Sequence, residues 1–303
     1  MKGSFFESFY SKEVITLPRD LKTDVEGFTF FAKLLDRTRQ KKHFIFDFEQ
    51  VNWLDANLCA LLSAIIHHNR RYGAVFSHHP KMNDQHRWTL NNIGLLALLK
   101  NIEHLEKNSS AIPLKEFDMV NESEVEEYIY RYILKSDLVP QMSPGAKRKV
   151  FRSIFEIYQN SVMHSGASHI YVCGQYFKHK KRMALTMVEI GRTFKENVTS
   201  HDQKYSHFTG KQSIEWAVER GNTTKIESET GGLGLDLIRE FLRLNQGKLQ
   251  ILSADGYWEE KKGVNFAVDC NTSFQGSVVN IEFNLRDSNR YSTPEELDIK
   301  SIL

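Results

Sequence analysis

The sequence predicts an α/β protein built from two units, and three observations carry that prediction. Strand-like and helix-like segments alternate over residues 13–99, the pattern of an α/β sandwich. A later helix places Glu156, Asn160 and His164 at four-residue spacing, which puts all three on one face. Further on, Gly231-Gly-Leu-Gly-Leu235 is a glycine-rich turn that runs into an apolar helix, a place where backbone N–H groups can receive an anion. The length of 303 residues agrees with two domains.

The elements of the first unit follow in order. Residues 13–17 read as a short strand. Residues 24–40 carry Phe28, Phe31, Leu34 and Leu35 at helical spacing. Residues 43–48 are aromatic and β-branched, as a strand requires. Asp55 is the expected N-cap of a helix that carries Leu58, Leu61, Leu62, Ile65 and Ile66. A strand over 74–77 and a helix over 92–99 complete the alternation.

The second unit starts near Ala111. Residues 114–118 read as an edge strand and 122–134 as a helix. Residues 140–145 break the chain, with Ser143-Pro144 as cap and first turn of the long helix that carries the Glu156 face. Two strands, 169–177 and 183–190, are joined by the basic run 178–182. The polar stretch 192–230 exceeds an ordinary connection and has the character of a lid, with a short helix at 214–218. After the glycine turn comes a helix over 235–244, stopped at Asn245-Gln-Gly247. Strands over 248–253 and 278–283 follow, with a turn expected at Gly256-Tyr-Trp258 between them. Residues 287–303 are polar and expected to be partly loose.

Composition narrows the function classes. The formal net charge is +2, so no general electrostatic case exists for nucleic acid or an anionic membrane. The local basic runs, 37–42 and 178–182, read as a solvated helix end and hairpin. The three cysteines, Cys59, Cys173 and Cys270, are odd in number and widely spaced, which argues against a disulfide framework and for a reducing, cytoplasmic setting. No apolar run reaches the length of a membrane span, and the N-terminus lacks the continuous apolar stretch of a signal peptide. The pairs His67-His68 and His78-His79 read as solvent-facing rather than metal-binding, since no His-Glu-x-x-His is present.

Four boxes of the second unit, in this order, carry a family resemblance: Glu156-x-x-x-Asn160, Val188-Glu-Ile-Gly191, Gly231-Gly-Leu-Gly-Leu235 and Phe274-Gln-Gly-Ser277. They resemble the N-box, the two glycine boxes and the closing Gly-Thr motif of the GHKL ATP-binding fold, the family of gyrase, the heat-shock-90 chaperone, histidine kinases and MutL. The segment Arg220-Gly-Asn-Thr-Thr-Lys225 is similar to that of stand-alone ATPases related to anti-sigma-factor kinases. The resemblance implies bound ATP with Mg²⁺. Asn160 would give its amide oxygen to the metal. Glu156, one turn earlier, would orient the nucleophile as a general base. Gly231, Gly232 and Gly234 would let backbone approach phosphate at a helix N-terminus, and Thr223, Thr224 and Lys225 would contact phosphate from the lid. Glu189, Gly191 and Ser277 would form the adenine end. Glu189 stands where the family has Asp, Thr193 where the box has its second glycine, and Ser277 where the family often has Thr. His164 has two readings, a residue facing the site or a cap and core residue before Ser165-Gly166. Taken singly, each box has a plain structural reading, such as a solvated helix face or one tight turn; the joint order favours a nucleotide site.

The first unit resembles a STAS domain, the fold of anti-sigma-factor antagonists, through residues 44–58 and 93–99. Phosphorylated members end a strand in Asp-Ser-Ser-Gly, with the second serine as acceptor. Aligned on Asp55, those serines fall on Ala56 and Asn57, so the resemblance implies a docking or structural role without phosphoacceptance. The expected organisation is therefore a STAS-like α/β sandwich over 1–110, a GHKL (Bergerat) α/β sandwich over 111–290 and a tail over 291–303. The implied function is Mg-ATP-dependent phosphorylation or switching of a protein partner, with a non-catalytic nucleotide-dependent interaction module as the alternative. The enzyme form would be a serine/threonine kinase or a slow ATPase. A homodimer is compatible with this reading, and neither nucleic acid nor membrane is expected as a partner.

Overall fold

The computed structural model describes residues 10–103, 111–134, 139–222, 224, 234–293 and 296. The chain is a mixed α/β protein. Its N-terminal unit runs β1 (Lys12–Thr16), β2 (Asp20–Leu21), α1 (Val25–Arg37), β3 (His43–Asp47), β4 (Trp53–Leu54), α2 (Cys59–Arg70), β5 (Val75–His78), α3 (Asp84–Ile93) and α4 (Leu95–Lys100). The three longer strands pair in parallel in the order β1-β3-β5. Helix α1 starts where expected, because the Asp24 carboxylate accepts from Gly27 N at 2.9 Å, and it buries Phe28, Phe31, Leu34 and Leu35.

Two expectations for this unit need correction. Asp55 makes no side-chain cap bond to the following turn. Its carboxylate accepts instead from Thr23 N at 2.8 Å and Trp53 Nε1 at 2.9 Å, and it pairs with Arg182 at 2.7 Å. Tertiary donors outcompete the local cap. The helix expected over 92–99 is the end of a longer helical stretch, interrupted at Gly94, whose φ of 104° only glycine adopts readily.

The C-terminal unit runs β6 (Ala111–Asp118), α5 (Glu122–Ile129), α6 (Pro144–His164), β7 (His169–Phe177), β8 (Arg182–Glu189), α7 (Phe194–His201), α8 (Gly210–Val218), α9 (Gly234–Leu244), β9 (Lys248–Lys261) and β10 (Val264–Asn284). The strands form an antiparallel sheet ordered β6-β7-β8-β10-β9, with β6 at the expected edge. Ser143 caps α6, accepting from Ala146 N at 3.1 Å, and Pro144 opens its first turn.

The turn expected at Gly256-Tyr-Trp258 does not exist. Strand β9 continues through it with an irregularity at Ala254 (φ 49°), and the hairpin turns at Lys262-Gly263, both at positive φ. Gly256 is required for a close approach: a Cβ there would lie 2.2 Å from the Gly210 carbonyl carbon at the start of α8. The polar stretch after β8 is more ordered than its composition implied. Both α7 and α8 open with capping boxes, Thr193 with Glu196 and Thr209 with Gln212. Part of the expected loose tail is also fixed. The Glu296 carboxylate accepts from Gly145 N at 2.8 Å and Thr293 N at 3.0 Å, and Tyr291 bridges to Met142.

Strand alternation divides the large sheet into two apolar faces. Val172, Met187, Ile251 and Val279 pack under α6 and α9 in one core. Their neighbours Cys173, Val188, Leu252 and Val278 belong to the other core, which they share with Phe28 of α1 and Ala60 and Leu61 of α2. The N-terminal unit thus covers the back of the sheet. Polar groups cross the same interface. Asn57 Nδ2 donates to Thr186 Oγ1 (2.8 Å), Thr23 Oγ1 (3.0 Å) and Asn280 Oδ1 (3.2 Å). Asn280 Nδ2 donates on to Gln250 Oε1 at 2.9 Å, and Gln250 Nε2 to Thr23 O at 3.0 Å. Arg182, in the run read as a solvated hairpin, is instead half-buried between Asp55 and Glu282. No helix among the described residues is long and apolar enough to cross a membrane.

Candidate functional site

On the front of the sheet, α6, the ends of β8 and β10, and the α7–α8 segment enclose a cleft of about 850 Å³ of empty volume. Its floor is the pair Glu189 and Ser277, directly opposite each other in the β8–β10 register. Both are buried, and Ser277 Oγ donates to Glu189 Oε1 at 2.7 Å. Glu189 Oε2 is shut off from water and has no partner among the described residues. Burial pushes the Glu189 carboxyl up to about 8, against the opposing effect of the Ser277 hydrogen bonds. At neutral pH this acid is protonated, and an N–H donor at Oε2 would favour the ionised form, the proton passing to solvent.

Two glycines shape the floor. At Gly191 a Cβ would lie 2.3 Å from Ser165 O and 3.0 Å from Glu189 Oε2. At Gly276, with φ of 124°, a Cβ would lie 2.1 Å from Glu189 O. The chain there is pinned: Arg192 N donates to Ser165 O at 2.6 Å, and Ser253 Oγ donates to Gly276 O at 2.6 Å.

Helix α6 presents Asn160 and His164 to the cleft, one turn apart, so the site-facing reading of His164 fits its position. Its backbone carbonyl also accepts from Asn197 Nδ2 at 3.1 Å, which ties the end of α6 to α7. Thr224 lines the opening, and Gly234 is the first residue of α9, whose Leu235 also lines it. Thr193, in place of a glycine, caps α7 rather than contacting the cleft. Thr223, Lys225, Gly231 and Gly232 lie outside the described residues.

Glu156 is not among the cleft-lining residues. It sits four residues before Asn160, about 6 Å further down the helix axis, and its Oε1 is buried without a partner among the described residues. The sequence reading missed Arg192, Asn197, Trp216 and Asn222, which close the cleft from the α7–α8 side. The capping boxes were the signal that this segment folds into helices able to aim such side chains inward. Trp216 is held in place by Tyr205 and His201, with ring centroids at 5.2 and 6.1 Å.

The cleft therefore offers an acid with an open acceptor at its floor, an amide and an imidazole on its helical wall, and an arginine and a tryptophan on its cover. A flat ligand carrying an N–H donor fits the floor, and an anionic end fits the side of Asn160, Thr224 and the start of α9. No family model matches the chain, and no curated protein matches it.

Proposed function

We propose that the chain is a regulatory protein that binds ATP with Mg²⁺ in this cleft and uses it to act on a protein partner. In this reading the C-terminal unit is a GHKL-type ATP-binding domain and the N-terminal unit is STAS-like. The single observation that carries it is the buried Glu189, with its open Oε2, in the same cleft as Asn160. That acceptor is costly to bury unpaired, on the order of 1–3 kcal/mol, and an adenine amino group would satisfy it. Asn160 would hold the metal through its amide oxygen, and Thr224 would meet phosphate. Gly191 and Gly276 allow the close backbone packing that holds Glu189 at the floor. When bound, ATP supplies a transferable phosphoryl group. The protein's part is to orient it and, in the enzyme form, to accept a proton at Glu156.

A second reading, a non-catalytic module that docks according to its nucleotide, is favoured by the position of Glu156 outside the cleft lining. The two separate on turnover. Phosphate release and phosphoprotein formation would be measured for wild type and Glu156→Gln, with candidate partners recovered by pull-down with and without ATP. Turnover that falls a hundredfold or so in Glu156→Gln, with ATP binding kept, supports the kinase or ATPase form. Absence of turnover in wild type with every partner supports the module.

The N-terminal unit supports a built-in docking role. Asn57, aligned with the acceptor serine of phosphorylated STAS domains, is fully buried against the sheet that carries the cleft.

A further inference from the structure

A second cavity opens where the two units meet, behind the turn between α6 and β7. Ala64, His68 and Arg71 line it from the α2 side, and Gly166, Ser168 and His169 from the other. Its empty volume is about 650 Å³. Neither the nucleotide reading nor the packing of the units uses it.

The polar groups here are mostly donors. Arg71 Nη2 donates to Ser168 Oγ at 3.1 Å, and Ser168 Oγ lies 2.8 Å from His169 Nδ1. His68 Nε2 is shut off from water with no partner among the described residues. No carboxylate lines the cavity among the described residues. The nearby acid, Glu116, is already engaged: Tyr171 OH donates to it at 2.9 Å, and His67 and His169 approach it at 3.3 and 3.9 Å. Burial, then the charges of Arg39 and Arg71, hold the His68 imidazole below its ordinary range. The surroundings of His68 are thus both apolar and electropositive. Basic residues at the end of α2 complement its dipole. That role accounts for their presence on the helix, but it does not account for a guanidinium from one unit and a hydroxyl from the other meeting at one cavity.

We propose that this cavity binds a small phosphate-class oxyanion, inorganic phosphate or a phosphomonoester, held by Arg71 and Ser168, with His68 in the wall behind them. A tetrahedral anion presents acceptors in several directions at once, which suits donors arriving from two units; a guanidinium supplies the strongest of them. The site is back to back with the cleft. Ser165 lines the cleft while Gly166 and Ser168 line this cavity, and Ile190 lies between Glu189 on one side and Gly191 on the other. The test must therefore distinguish an anion bound here from one bound in front.

The experiment is a titration of the full chain with inorganic phosphate, and separately with glycerol phosphate, at constant ionic strength set with chloride. Binding is followed by calorimetry and ³¹P line broadening. The expected result is saturable phosphate binding that weakens about tenfold in Arg71→Gln, the loss of one charge-assisted contact. It should weaken in Ser168→Ala also, and persist in Asn160→Ala. Both cavity variants remove surface polar groups, and circular dichroism checks that they fold. No saturable binding, binding unchanged in both cavity variants, or binding lost in Asn160→Ala would each overturn the proposal. Tighter glycerol phosphate than phosphate marks the phosphomonoester as the ligand, and the reverse marks inorganic phosphate.

Discussion

Ser277 Oγ donates to Glu189 Oε1 across 2.7 Å, joining two strands at the floor of the cleft while leaving Glu189 Oε2 unpaired. The serine reaches only one oxygen, so the hydrogen bond lowers the carboxyl's proton affinity less than burial raises it. The floor is therefore a neutral acid, poised to ionise when a donor arrives.

That acid makes stability depend on pH. Its folded value of about 8 stands above the ordinary 4.5, so between these values the folded chain holds a proton that the unfolded chain has released. Stability should be highest below about 4.5 from this group, fall as pH rises, and level off above 8. The slope should approach 1.4 kcal/mol per pH unit at most, about one proton's worth. Urea denaturation of wild type and Glu189→Gln across this range reads it directly. The glutamine variant should lose the slope, and an unchanged slope would remove Glu189 as its source.

Ligand affinity should carry the opposite sign. A ligand N–H needs the carboxylate, so binding costs a proton below pH 8 and tightens as pH rises, by up to about tenfold per unit, before reaching a plateau. Mg-ATP titrations between about pH 6.5 and 8.5, a range that spans the folded value of about 8, test it. Affinity that weakens with rising pH in this range would rule out a carboxylate acceptor.

The Gly191 prediction is steric. Gly191→Ala places a methyl 2.3 Å from Ser165 O, a backbone atom that cannot rotate away. The Arg192–Ser165 backbone bond should break, with a loss of about 1–3 kcal/mol in stability and loss of nucleotide affinity. Thermal denaturation with and without ATP checks both. A variant as stable as wild type with full ATP response would show that the floor adapts.

The interface prediction concerns Asn57. It is fully buried and donates to Thr186, Thr23 and Asn280. Asn57→Leu strands those acceptors and should cost about 2–4 kcal/mol, whereas Asn57→Ser places a single hydroxyl at the position that the proposed STAS-like reading aligns with a phosphoacceptor. Phosphoproteomic mapping of Asn57→Ser after treatment with related kinases should find no phosphate there, since no kinase reaches a fully buried side chain. Stoichiometric phosphorylation would mean that the units part readily.

Much of this arrangement was legible in the sequence. The apolar spacing of Phe28, Phe31, Leu34 and Leu35 defined α1, and Ser143-Pro144 defined the start of α6. Asn160, Glu189 and Ser277 line one cleft because helix period and strand register bring them there, with Thr224 lining it from a loop and Gly191 packed beside Glu189. What escaped was set by contacts distant in sequence. Asp55 satisfies Thr23 and Arg182 instead of a cap, and Arg182 is drawn from a basic hairpin into the interface by Asp55 and Glu282. Gly256 reads as a turn residue until α8 is seen packed against it. The position of Glu156 outside the cleft depends on the translation of α6 over the sheet, which no local pattern encodes.

The central claim is that the cleft holds Mg-ATP between the Glu189 floor and Asn160, and calorimetric titration of wild type and Asn160→Ala with Mg-ATP tests it most directly. The account predicts saturable binding to wild type and at least about tenfold weaker binding to Asn160→Ala, the loss of a metal-holding amide. Equal affinity in the two proteins, or no binding to wild type, would contradict it.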